Sequence, residues 1–183
     1  MIVPMTTHAP IGKRGSMSTP PPKRPLAPLP LGTPGPDFRL RRTPDQTLTL
    51  SSLLGLLVVL DFYPADWEPV SAEQLATLQQ CLPELERLGA VLLGLSVDGV
   101  WSHLAFARAH GLGFPLLADA EPKGLVARAY GVYRARDGVS ERALFVLDAG
   151  GVIRWREVVP PSVDPGADGI LTALERLRGA ALG

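Results

Sequence analysis

Between Leu56 and Phe62 the chain runs through Leu-Leu-Val-Val-Leu-Asp-Phe, an apolar stretch bounded by Gly55 and Pro64. Such a run predicts a strand buried on both faces at the centre of a sheet. Ahead of it, Phe38-Arg39-Leu40 and Thr47-Leu48-Thr49-Leu50 alternate around Thr43-Pro44-Asp45, which predicts an opening hairpin. From Ser71 to Leu88 the period changes. Leu75, Leu78, Leu82, Leu85 and Leu88 recur at three and four residues, predicting a helix with one core-facing stripe, kinked at Pro83 and ended at Gly89. Ala90 to Val97 is a second buried strand, followed by an amphipathic helix from about Val100 to His110 that stops at Gly111. Phe114 to Asp119 reads as a short strand and Lys123 to Tyr130 as a helix. Ala143 to Asp148 and Val152 to Val158 form a hairpin about Ala149-Gly150-Gly151, and Ile170 to Leu182 closes the chain as a helix. Strands alternating with helices, plus one late hairpin, predict a three-layer α/β/α fold with a mixed central sheet.

The first residues break this pattern. Residues 1 to 36 hold ten of the 19 prolines, all three methionines, four Lys or Arg and no acid, a composition that offsets too little of the ordering entropy to form a core. The division expected is a disordered proline-rich tail over 1–34 and one folded domain over 35–183. The simplest reading of the tail is a dispensable extension. A proline-rich ligand built on Pro20-Pro21-Pro22 is the sharper alternative. Without the tail's cations, 14 Lys or Arg face 18 Asp or Glu, so the domain is mildly acidic. With no basic stripe and a net charge of zero, neither nucleic acid nor an anionic membrane is an expected partner. No apolar stretch is long enough to cross a bilayer. The only cysteine, Cys81, excludes an intrachain disulfide and suits a reducing compartment, so cytoplasm is the expected location.

One stretch carries the functional argument. Phe62-Tyr63-Pro64, three residues, Glu68, two residues, Ser71 resembles the active-site loop of peroxiredoxins, which reads Phe-Tyr-Pro, three residues, Thr, two residues, Cys. Leu95-Ser96-Val97-Asp98, Phe114-Pro115-Leu116-Leu117-Ala118-Asp119 and Ala129-Tyr130-Gly131-Val132 follow in the family's order. The resemblance runs from about Pro34 to the C-terminus and looks most like the one-cysteine alkyl hydroperoxide reductase E branch. It implies a thioredoxin-like fold with peroxiredoxin elaborations and, as the family activity, thiol-dependent reduction of hydroperoxides. It also implies a site made of Pro64, Glu68 in the threonine position, Ser71 in the position of the peroxidatic cysteine, and Arg142 facing it.

The residues present do not fit that activity. Peroxide reduction needs an atom that gives up two electrons, as a thiolate does when it becomes sulfenic acid. A serine oxygen has no such ladder. Ser71-Ala72-Glu73-Gln74 instead fits a capping box, which makes Ser71 the expected helix N-cap. A carboxylate at Glu68, about 4 Å from a thiolate, would oppose ionisation by roughly 4 kcal/mol at an effective dielectric of about 20, or about three pKa units. Two members of the triplet thus differ together, which favours a natural degenerate form over an engineered Cys-to-Ser version of a working enzyme. Glu68 and Arg142 are expected to pair across the emptied site, the alternative being a solvated Glu68.

The remaining chemistry is sparse. Cys81 sits ten residues into the helix, away from the N-terminal dipole that lowers a thiol pKa, and reads as a bystander; an oxidoreductase working through it is the alternative. His103 and His110 read as helix-surface histidines with neither metal-ligand spacing nor a Gly-x-Ser-x-Gly elbow to complete a hydrolase triad. Gly150-Gly151 offers no phosphate cradle, and neither cofactor nor metal is expected. The reading that follows is a catalytically degenerate peroxiredoxin-like binding or regulatory protein. Its partners would be a hydroperoxide or other small ligand in the vestigial pocket, and a second copy or an active paralogue as dimer partner.

Overall fold

The computed structural model describes residues 27–181. In chain order it contains β1 (Arg39–Arg41), β2 (Thr47–Thr49), a 3-10 turn (Leu50–Leu53), β3 (Leu57–Phe62), α1 (Pro69–Arg87), β4 (Ala90–Ser96) and α2 (Val100–His110). There follow β5 (Leu116–Ala118), α3 (Leu125–Ala129), β6 (Tyr133–Arg134), β7 (Val139–Ser140), β8 (Arg142–Leu147), β9 (Ile153–Val159) and α4 (Asp168–Ala181). Seven strands form one mixed sheet in the order β2-β1-β5-β4-β3-β8-β9. β3, β4 and β5 run parallel; on the far side of β3, β8 lies antiparallel to it and β9 antiparallel to β8. The small ribbon β6-β7 is two residues wide and left no periodic trace in the sequence.

Alternation along the strands sorts the core into two clusters. Val59 of β3 with Leu144 and Val146 of β8 faces α1 and α4, while Val58, Leu60, Phe62, Phe145 and Leu147 face α3 and the 3-10 turn. Strand periodicity therefore sends Asp61 and Tyr63 to the side of Val59, and Arg142 to the side of Leu144 and Val146. All three project under α1 or α2. On α1 the buried residues are Ser71, Gln74, Leu75, Leu78 and Leu85. One helical stripe is thus polar in its first turn and apolar after it, and the polar turn lies over Asp61 and Arg142.

One local expectation changes. The N-cap of α1 is Glu68, not Ser71: Glu68 has extended backbone (φ −75°, ψ 128°) and its carboxylate accepts from the Val70 and Ser71 amides. Pro69 explains the earlier start, since its fixed φ suits the first helical position and it has no N–H to satisfy. Pro83 lies inside α1, which runs from Pro69 to Arg87.

Most of the expected tail, residues 1–26, lies outside the described residues. The described remainder is tied down rather than free, so the ordered part begins by residue 27 and not at 35. The Leu29 amide donates to the Tyr130 carbonyl, the Gly32 amide to Ile153, and Ile153 back to Thr33, while Pro34 bridges Val152. Arg156 donates to the Pro28 and Leu29 carbonyls. Gly131 (φ +74°) has to be glycine here, because a Cβ would strike the Ala27 carbonyl.

Candidate active site

Arg142 is fully buried at the start of β8, and the geometry of the site follows from how its guanidinium is satisfied. Nε donates to the Pro161 carbonyl at 3.1 Å, and Nη2 donates to the same oxygen at 2.7 Å and to Glu68 Oε2 at 2.9 Å. Nη1 donates to Gln74 Oε1 at 2.5 Å and to Ser71 Oγ at 3.4 Å. A guanidinium has five N–H groups, so none is left over.

Ser71 is equally occupied. Its amide and its hydroxyl both donate to Glu68 Oε2, each at 2.7 Å. Burial by itself pushes the Glu68 carboxyl up, but the hydrogen bonds from the Ser71 hydroxyl, Arg142 and the two amides outweigh it and hold the group below its ordinary range. Glu68 is therefore ionised and a poor general base for Ser71. Its side chain is 35% exposed while Ser71 and Arg142 have no exposed surface, so the carboxylate caps both.

Beneath Gln74 lies a group that sequence reasoning passed over. Asp61 is buried, accepts from Gln74 Nε2 through Oδ1, and leaves Oδ2 without a partner. Burial drives its carboxyl up to about 8, against the lowering effect of Gln74 and Arg142, so Asp61 is a neutral acid at pH 7. A lone carboxylate inside a continuous apolar strand was the available signal. No sequence signal marks the Pro161 carbonyl.

The loop between β3 and α1 builds a second polar cluster under α2. The Tyr63 hydroxyl donates to Asp66 Oδ1 at 2.9 Å, and His103 Nδ1 lies 3.1 and 3.0 Å from the two Asp66 oxygens. Burial pushes the Asp66 carboxyl up, but His103, Ser102 and Tyr63 together bring it below the usual carboxylate range. Burial, followed by the Asp66 charge, keeps the Tyr63 phenol protonated. His103 is only 1% exposed, which corrects the expectation of a surface histidine: with His103 and Phe106 on the buried face of α2, the imidazole reaches Asp66. His110 does stay exposed, against Phe106 and Trp67.

Ser71, Glu68 and Arg142 thus meet, with Pro64 buried in the turn that leads to them. Cys81 does not join them. Ten residues along α1 at 1.5 Å each put it about 15 Å away along the axis, half-buried against the apolar cluster. Among the described residues no three His, Cys, Asp or Glu side chains are grouped to hold a metal, and no helix is long and apolar enough to cross a membrane.

Comparison with known proteins agrees with this architecture. The chain is 37% identical to alkyl hydroperoxide reductase E of Mycobacterium tuberculosis over 134 residues, covering 73% of this chain and 88% of that protein. It is 30% identical to peroxiredoxin 2 of Thermoplasma acidophilum over 154 residues, covering 81% of this chain and 76% of the relative. The crystal structure of Enterococcus faecalis AhpC superposes with a TM-score of 0.76 at 26% identity, covering 83% of this chain and 94% of that one. The profile of the AhpC/TSA family matches residues 31–156. A mixed α/β sheet with these neighbours is a thioredoxin-like fold, and the chain belongs to the AhpC/TSA family, the peroxiredoxins.

Proposed function

We propose that this chain is a peroxiredoxin-family protein that has lost thiol peroxidase chemistry at Ser71 and serves as a binding or regulatory protein. The reading rests on one observation: every N–H of Arg142 is already bonded within the protein, and the Ser71 proton is held on Glu68 Oε2 at 2.7 Å. An incoming peroxide would need donors to polarise its O–O bond and a two-electron reductant to break it. Arg142 offers no donor and the Ser71 oxygen is no reductant. Glu68 and Ser71 behave as a built-in ligand for Arg142, and the carboxylate takes the place a substrate oxygen would fill. Exposed Trp101 and Trp67, at 72% and 56%, with Leu104 at 37%, suit a role that engages another protein, a second copy or an active paralogue.

The test is peroxide consumption by the full chain with thiol reductants. No turnover above background is expected, and Cys81→Ala should change nothing. Turnover abolished by Cys81→Ala, or by Ser71→Ala, would overturn the reading.

A further inference from the structure

A narrow cleft of about 170 Å3 opens between α3, the residues leading into β1 and the loop after β5. It is smaller than ordinary small-molecule sites, which measure about 300–1,000 Å3, and its size suits one or two side chains of a peptide. Phe38 and Leu125 give it an apolar lining, and Leu125 is exposed although its neighbours Val126 and Ala127 are buried. Asp37 and Glu121 also line it; both are exposed, and neither forms an ion pair among the described residues. Arg39, a cation on the same lining, donates its Nε to Thr47 Oγ1.

The described chain begins beside this cleft. The Ala27 carbonyl lies against Gly131, and the Leu29 amide donates to the Tyr130 carbonyl at 3.1 Å. Ala129, one residue before Tyr130, lines the cleft, and so does Pro36, whose carbonyl accepts from the Tyr130 hydroxyl at 3.2 Å. Leu29 packs against the apolar cluster that contains Phe38 and Val126.

Directly upstream stand residues 20–26, Pro-Pro-Pro-Lys-Arg-Pro-Leu. Seven residues in polyproline II form span about 20 Å at about 3.1 Å each. The five residues of α3 span about 8 Å, so this segment can reach the whole cleft. Three residues per turn put Lys23 and Leu26 on the same face as Leu29, the face already packed on the domain. Residues 1–26 carry Lys13, Arg14, Lys23 and Arg24 and no acid, opposite in sign to Asp37 and Glu121.

We propose that the cleft is the docking site of this chain's own segment 20–26, in polyproline II form. Leu26 lies on Phe38 and Leu125, and Lys23 and Arg24 lie beside Asp37 and Glu121. A tether this short gives the segment an effective concentration on the order of millimolar, so contacts too weak to join separate chains are sufficient within one. The docking site is independent of the function proposed for Ser71.

The experiment is limited digestion of the full chain with trypsin, comparing cleavage after Lys23 with cleavage after Arg14, which lies upstream of the docked segment and serves as the reference. Leu125→Glu and Glu121→Lys change exposed side chains, so the fold is not at risk. Each should raise the ratio of Lys23 to Arg14 cleavage by about fivefold, the equivalent of about 1 kcal/mol. The wild-type ratio should not change on tenfold dilution. An unchanged ratio in both variants would overturn the docking site, and a response in only one would overturn the contact assigned to the other residue. A ratio that rises on dilution would assign the segment to a second copy and overturn docking within one chain.

Discussion

Two polar clusters hang from the same short loop, and they are finished differently. Under α1, Glu68 and Ser71 close on Arg142 until no donor is spare; under α2, Tyr63 and Asp66 hold His103 by one nitrogen and leave the other buried without a partner among the described residues. Burial is nearly complete at both centres, so burial does not tell them apart. The count of hydrogen-bonding groups does. Where every group is paired inside the chain, a ligand has to displace a bond to enter; where one is left over, the cost of burying it is not offset by a partner within the fold.

The largest expected effect comes from reopening the closed cluster. Ser71→Cys alone should give a thiol with a raised pKa, because the Glu68 carboxylate, 2.7 Å from the Ser71 oxygen, opposes the thiolate. Solvent at the partly exposed Glu68 tempers that repulsion. Adding Glu68→Thr removes it and frees an Arg142 N–H. If the thiol pKa falls by about two units, the thiolate fraction at pH 7 rises by up to about a hundredfold, and peroxide-dependent sulfenic acid formation should rise at least in step. Thiolate absorbance against pH and sulfenic acid trapping, on both single variants and the double, measure this. Equal reactivity of Ser71→Cys and the double variant would mean that Glu68 does not close the site.

Next in size is the cost of emptying that cluster. Arg142→Met would leave Gln74, Ser71 and the Pro161 carbonyl without their donor, and breaking a buried charged network costs about 3–5 kcal/mol. Denaturant melts of this variant against the wild type give the value directly. A loss below about 1 kcal/mol would show that the network relaxes and that its apparent saturation carries little weight.

The third effect is a slope. The Asp61 carboxyl sits at about 8 in the folded protein against an ordinary 3.8, so the unfolded chain releases this proton first. The contribution of Asp61 to stability is full below about pH 4, declines as pH rises and levels off above about pH 8. Asp61→Asn should flatten that decline, read as urea midpoints at pH 5 and pH 8. An unchanged slope would place the titration elsewhere.

The sequence carried the fold further than it carried the site. Leu57–Phe62 and Ala90–Ser96 were readable as continuous apolar runs buried on both faces, and Val100–His110 by the Gly99 and Gly111 that bound it. The family motif brought Glu68, Ser71 and Arg142 together, but the cap of α1 went to the wrong residue, since a capping box at Ser71 and a proline at the first helical position give competing signals and the proline prevailed. Gln74 and Asp61 were hidden because a polar residue on a core-facing stripe looks the same in sequence whether or not a buried partner awaits it. His103 was misplaced for a related reason: α2 has two buried residues, one of them polar, and periodicity cannot show that Asp66 comes from another element to meet it.

The segment from 27 to 34 bears on how this sheet ends. An open sheet exposes unpaired backbone groups along its outer strands, which invite a second chain to add on. At one margin β2 is three residues long and follows a turn that opens at Arg42, just after Arg41 ends β1. At the other, Gly32, Thr33 and Pro34 already occupy the first bonding positions of β9, and Arg156 clasps the segment through Pro28 and Leu29. A foreign strand approaching from the Ile153 end would first have to peel away the chain's own backbone, so this stretch guards the domain against growth into a longer, intermolecular sheet.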